Sequence, residues 1–191
     1  PYQFASTQLK ELPLPSGWPN LPQVPRLTAL ARETDQLARS MSEPGVEALI
    51  DDCLASGVSI AARWQSLQQD RRRARSRLIL LQEEMDFLCY EMYGLVQPGH
   101  LTASSLDFEV ELEAGDRPFC IAAGANVEGF TVPAEIPRSW PATMRELWER
   151  RLNEVRTNAR IKVIEDPHYK RRWIGRQGLF NHGARADEFK T

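Results

Sequence analysis

Apolar residues recur through the middle of the chain at helical spacing. Ile60, Trp64, Leu67, Ala74, Leu78, Leu81, Met85, Leu88 and Met92 follow alternating steps of four and three, with Arg71 taking one place on the seam. Sustained over about four heptads, the pattern predicts a helix from Val58 to Tyr93 of the kind that packs beside others in a left-handed supercoil. Gly94 stands where a left-handed residue closes a helix. Upstream, Leu27, Leu30, Thr34, Leu37 and Met41 predict a first helix from Arg26 to Met41. Ser42 and Pro44 punctuate the chain, and Val46, Leu49, Ile50, Cys53 and Leu54 predict a second helix from Pro44 to Ala55, ended by Gly57. The simplest packing sets the first helix antiparallel to the second half of the long one, with the short helix over the turn.

Both flanks break this period. Residues 1–25 hold six prolines, which exclude regular helix and a central strand. They predict an extended segment anchored by Leu9, Leu12, Leu14, Trp18 and Leu21. After Pro98-Gly99 the period becomes two: Leu106, Phe108, Val110 and Leu112 alternate with Asp107, Glu109, Glu111 and Glu113. That predicts a half-exposed strand with a carboxylate face, turning at Ala114-Gly115-Asp116 into a second strand around Phe119 to Ala122. A helix from Ala142 to Arg160 follows, with Met144, Leu147, Trp148, Leu152 and Val155 as its buried stripe. Ile161 to Ile164 extends that helix or forms a short strand. The expected fold is therefore mainly α with a small α+β part: an antiparallel helical hairpin or coiled-coil spacer, then a small C-terminal domain with a β-hairpin and a helix. The expected division is an extended segment over 1–25, a helical spacer over 26–97 and an α+β domain over 98–191.

Composition adds a segregation of charge. The 191 residues carry a net −2, yet residues 98–141 hold two basic and seven acidic side chains and residues 142–191 hold twelve and seven. The basic tail suits an anionic partner, and the acidic stretch is its natural neighbour within the chain. Cys53, Cys89 and Cys120 are far apart, sit in apolar runs and have no zinc spacing, so they read as buried free thiols in a reducing compartment. No apolar run is long enough for a membrane span and no signal peptide is visible, which places the expected protein in the cytoplasm without membrane contact. The chain opens on Pro1 rather than methionine, so it is either processed or a piece of something larger.

The sharpest charged feature is Arg71-Arg72-Arg73-Ala74-Arg75-Ser76-Arg77. Guanidinium groups match phosphate geometry, so these five arginines are candidates for DNA-phosphate contact. On a helix they spread around most of the circumference, which equally suits a solvated zone with Arg71 fixing register. Lys170, Arg171 and Arg172 form a second basic cluster between Tyr169 and Trp173. Basic and aromatic groups together suit nucleic acid, and the same cluster suits an internal clamp onto the acidic face 107–113. Asp166-Pro167-His168-Tyr169 has the outline of the Asp-Pro-Pro-Tyr motif of amino-methylating DNA methyltransferases, but His168 replaces a proline and the chain has no glycine-rich cofactor loop. The three histidines are isolated and no Ser/His/Asp or HExxH pattern exists. No catalytic, cofactor-binding or metal-ligating residue is assigned.

The run Leu80 to Leu95 resembles the helix that follows the target-recognition region of large single-chain restriction–modification methyltransferases, and Ala5 to Pro15 resembles the segment before that helical spacer. Arg117-Pro118-Phe119, Ile136-Pro137, Trp140-Pro141, Arg150-Arg151-Leu152 and Ile164 to Trp173 are similar to the C-terminal region of the PglX-type adenine-specific methyltransferases of BREX and related phage-defence systems. The resemblance implies a parent that methylates adenine N6 on a flipped base with S-adenosylmethionine. It transfers no catalytic residue to this chain and no cofactor. The implied role is a non-catalytic C-terminal module that positions the enzyme on DNA or docks partners, among them other phage-defence subunits or a second copy through the helical seam. The alternative is a helical protein–protein interaction module without DNA contact.

Overall fold

Turn and cap residues set the helix ends. A computed structural model describes residues 13–41, 45–124, 131–167 and 170. Helix α1 spans Val24–Ser40 with Pro25 in its first turn, where a missing N–H costs nothing. Helix α2 spans Val46–Ser56 and stops at Gly57, whose φ of 70° is the left-handed conformation that glycine adopts without strain. Helix α3 spans Ile60–Met92; the Ser59 hydroxyl caps it by accepting from the Ala62 N–H at 3.2 Å. At its far end the Gly94 N–H donates to Glu91 and the Leu95 N–H to Tyr90, the paired bonds of a Schellman closure.

Helix α1 runs antiparallel to α3. Arg26, near its start, reaches Glu84 at 2.7 Å, and Glu33, two turns later, accepts from Arg77 at 2.7 Å. Leu30 packs with Leu81 and Leu88, and Leu37 and Met85 flank them. Helix α2 touches α3 nearer its start, joined by an Asp52–Arg63 ion pair of 2.7 Å, and has Leu49 and Cys53 buried. Of the expected proline-segment anchors, Leu14 and Trp18 are exposed, Leu21 is half-buried, and Leu9 and Leu12 lie outside the described residues. The Tyr93 hydroxyl donates to the Pro13 carbonyl at 2.8 Å and ties that segment to the end of α3.

The rest of the chain folds onto the second half of α3. Helix α4 spans Pro118–Ala123, α5 spans Ala142–Thr157 and α6 spans Ala159–Ile164. Ile79 and Leu80 of α3 share a core with Leu112, Ile121 and the α5 stripe of Met144, Leu147, Trp148 and Leu152. Trp140 meets Trp148 edge-on, ring centroids 5.9 Å apart, and the Trp148 indole N–H donates to the Asp116 carbonyl at 2.8 Å. A second core joins Phe87 and Tyr90 to Leu101, Val155 and Ile161. Between α5 and α6 the Asn158 side chain accepts from the N–H groups of Arg160 and Ile161 and starts a new helix.

The expected β-hairpin is absent: the described residues contain no strand. The alternation at 106–112 is nevertheless physical, since Leu106 and Leu112 are buried and Asp107, Glu109, Glu111 and Glu113 are exposed. The segment runs along a helix instead of a strand; the N–H groups of Phe108 and Val110 bond within the segment, and helix side chains satisfy other backbone groups. The Ser76 hydroxyl donates to Val110 O and accepts from Leu112 N, both at 2.8 Å, and Arg77 donates to Leu106 O at 2.6 Å. The second expected strand is helix α4, because Pro118 at its first turn favours helical φ and Arg117 before it is extended. Gly115 in the intervening 3-10 turn (Ala114–Asp116) lies so close to the chain that a Cβ would sit 1.9 Å from the Thr131 carbonyl.

Candidate nucleic-acid interface

Helix α3 treats its charges in two ways. From Ser76 onward it is largely buried and its carboxylates point into the protein, whereas over residues 60–75 no side chain is fully buried and the charges are mostly cationic. The interface candidate is the second region, and the first determines how it is held.

Glu83 and Glu84 are 0% exposed, and neither lies on the heptad seam. Glu84 accepts from Arg151 of α5 at 2.5 Å, from Arg26 of α1 at 2.7 Å and from the Ala103 N–H at 3.0 Å. Arg151 also donates to Leu101 O at 2.9 Å, and its guanidinium lies 4.7 Å from the Phe87 ring centre and 5.2 Å from that of Trp148. Glu83 pairs with fully buried Arg117, which extends to Asp86 at 3.4 Å. Lys170 lies 3.1 Å from Asp86 and 2.7 Å from Glu165, and the Tyr90 hydroxyl donates to Glu165. One turn further, Glu91 accepts from the Gly99 N–H at 2.8 Å and from the Thr102 hydroxyl at 3.1 Å. The network thus pins α1, α4, α5 and the segment beyond α6 to one helix.

These contacts set the ionisation of the groups. Burial pushes the Glu83 carboxyl up, but Arg117, Lys170 and Arg151 outweigh it and hold it below the usual carboxylate range. At Glu165 burial wins over Lys170 and the carboxyl lies above that range. Burial pulls the Lys170 amine down, but Asp86, Glu165 and Glu83 outweigh it and raise the amine. Burial lifts the Cys89 thiol to about 11 and the Cys120 thiol to about 12, which leaves both protonated and poorly nucleophilic at neutral pH. The charged groups of the cluster are paired with one another, although Glu83 Oε2 and Arg151 Nη1 are buried without a hydrogen bond; its chemistry is adhesion between elements.

The structure distributes the sequence-predicted arginines between the two regions. Arg71 is half-buried with its guanidinium 5.8 Å from the Trp64 ring centre. Arg72 and Arg73 are exposed, Arg73 lying 3.9 Å from Asp70, and Arg75 is half-buried. Gln65, Gln68, Arg72 and Arg75, at three–four spacing, share one side of the helix. Arg77 is committed elsewhere, to Glu33 and to the Leu106 carbonyl. Lys170 is committed to the buried network rather than to the acidic face 107–113. Arg171 and Arg172 lie outside the described residues.

The sequence reading missed Arg26, Arg117 and Arg151 as partners of the helix carboxylates. The available signal was that α3 has no basic residue after Arg77 but carries Glu83, Glu84, Asp86 and Glu91. An open groove of about 750 Å³ beside the N-terminus of α5 is lined by Arg26, Thr102, Ser104, Asp107, Glu146 and Arg150 among others. Its two arginines already serve Glu84 and the His100 carbonyl. Among the described residues no group of three His, Cys, Asp or Glu could hold a metal ion, and no helix is long and apolar enough to cross a membrane.

Comparison with known proteins places this division of α3 in a family context. Residues 78–182 match the family model described as a domain of unknown function, DUF7008. The match begins two residues after Ser76, where the helix becomes buried. The chain is similar to the adenine-specific methyltransferase PglX of Streptomyces coelicolor, with 35% identity over 186 residues covering 90% of this chain. It spans only 14% of the length of that relative. No solved structure matches the chain.

Proposed function

The chain belongs to the DUF7008 family and is related to PglX-type methyltransferases, and from that premise we propose that it is a non-catalytic module of an adenine-specific DNA methyltransferase of bacterial phage defence. The complete enzyme takes its methyl group from S-adenosylmethionine and works in the cytoplasm. This module supplies no reacting group. It sets the position of the enzyme on DNA.

The observation that carries the reading is the division of α3 into a buried half locked by ion pairs and an exposed half bearing Arg71, Arg72, Arg73 and Arg75. An exposed helical arm of some 16 residues reaches about 24 Å, close to the span of seven base pairs of duplex. Arginines wound around such an arm contact phosphates without demanding a particular base sequence. Trp64 beneath Arg71 adds a flat apolar face beside the cation. The phosphates fall to these four residues, while Arg77 and Lys170 serve inside the fold.

Duplex binding by the chain, measured from 50 to 300 mM salt, tests this. The wild type should lose affinity steeply with salt. Arg72→Glu with Arg73→Glu should weaken binding at least tenfold and flatten the salt slope by about 0.9 for each phosphate no longer neutralised. Unchanged affinity in that variant would overturn the arm's role.

A further inference from the structure

Five of the exposed large apolar side chains fall on α2 and the start of α3, well away in sequence from the carboxylates of the buried network. Val46, Ile50 and Leu54 recur at steps of four on α2 and are 49, 39 and 78% exposed. Across the Gly57 turn, Val58 and Ile60 continue the patch at 42 and 54%. Leu49 and Cys53 on the adjacent edge of α2 are buried and α2 packs on α3, so the stripe is a second apolar edge of the same helix. Single exposed aliphatic residues are ordinary, but five within fifteen positions form a contiguous patch of the kind that marks an interface.

The surroundings narrow the occupant. Helix α2 carries Glu47, Asp51 and Asp52 and no basic residue, so a complementary surface has an apolar centre and a rim of lysine or arginine. A second α2 laid against the stripe would set Glu47 and Asp51 against their own kind, which opposes pairing between copies. The stripe lies outside the family match, which begins at residue 78, but inside the continuous similarity to the methyltransferase, which covers 90% of the chain. That relative is long enough to supply the missing surface, since this chain amounts to 14% of it.

We propose that Val46, Ile50, Leu54, Val58 and Ile60 dock onto another part of the methyltransferase that carries this module, through an apolar face with a basic rim. The proposal rests on the functional reading above. It gives the arm two supports: ion pairs hold its root, the stripe holds its tip, and the arginines lie between.

Carbene footprinting with mass-spectrometric readout tests it, on the chain alone and on the complete methyltransferase polypeptide. The chain alone should label strongly at Ile50 and Leu54 at every protein concentration. The complete enzyme should label there at least fivefold less. Ile50→Asp with Leu54→Asp, with an unchanged circular-dichroism melt of the chain as the control for its fold, should restore labelling of Val46 and Val58 in the complete enzyme to the free level. Equal labelling of the stripe in the two wild-type samples overturns the proposal. So does protection that appears in the chain alone and grows with concentration, because a second copy is then the occupant. Methyl transfer from S-adenosylmethionine to adenine, assayed on the same preparation, reports on the functional reading and not on the footprint.

Discussion

The two halves of α3 make a controlled comparison within one helix. Residues 60–75 and 76–92 share an unbroken backbone and a three–four rhythm broken only by Arg71, yet the second half buries most of its side chains and the first fully buries none. The buried half carries Glu83, Glu84 and Asp86, each answered by a cation from a distant part of the chain, and Glu91, answered by the loop just beyond the helix. The exposed half carries arginines with solvent-exposed or local contacts, such as Asp70 for Arg73 and the Trp64 ring for Arg71, and one pair to another helix, Arg63 with Asp52. The lesson is that a helix's charges acquire structural weight from what surrounds them. An ion pair removed from water must stay complete, because the remaining charge cannot be rehydrated, while an exposed one is nearly dispensable.

The strongest attack on this contrast removes one member of the buried set. Arg151→Met leaves Glu84 without its closest cation, and urea denaturation should show a loss of about 3–5 kcal/mol. A loss below about 1 kcal/mol would mean that packing, not charge, holds the half-helix. Next is Gly115→Ala, which forces a methyl group against the Thr131 carbonyl and should cost about 1–3 kcal/mol in the same assay. Arg77→Ala and Arg73→Ala set the two regions side by side. Breaking the bonds to Glu33 and Leu106 should cost about 1–2 kcal/mol, and breaking the exposed pair with Asp70 under about 0.5 kcal/mol.

Acidity gives the smallest and most selective probe. Glu83 is held below its ordinary value of 4.5, so its contribution is present above that pH and is lost as pH falls through the lowered folded value. Glu165 is raised, so it works in the opposite sense, and protonating it favours the folded chain. At the alkaline end Lys170, raised above 10.5, contributes fully below that pH and less as pH climbs through its folded value. Glu83→Gln should therefore flatten the decline of stability on the acid side, and an unchanged acid limb would remove Glu83 from the account. Arg72→Glu, on the exposed half, should leave the whole pH profile in place.

Much of the helical framework was legible in the sequence because local chemistry decides it. Ser59, Gly57 and Gly94 act at helix ends through contacts with their nearest neighbours. The extended segment at 106–112 shows the limit. Its alternation tells which side chains face inward but not what lies opposite, and here a helix supplies Ser76 and Arg77 where a partner strand was expected. Glu83 and Glu84 were illegible for a related reason. A heptad seam describes packing on one side, whereas this half-helix is covered on several, so positions off the seam are as deep as those on it. Their partners Arg26, Arg117 and Arg151 come from three separate regions, and no local window joins them. The arginines 71–75 were visible at once, since exposure leaves a charge run unaltered, but what they touch is not written in their spacing.

The direction of α3 has a mechanical consequence. A rod clamped firmly over half its length and held only lightly beyond, where α2 meets it, magnifies play at the firm clamp along the lightly held part. For a lightly held length of about 24 Å, a tilt of about 5° at the root moves the tip by about 2 Å, enough to break a hydrogen bond. The ion pairs at Glu83 and Glu84, set more than a full turn inside the clamp and drawn from three separate parts of the chain, are therefore the bearings that fix the aim of everything the rod carries.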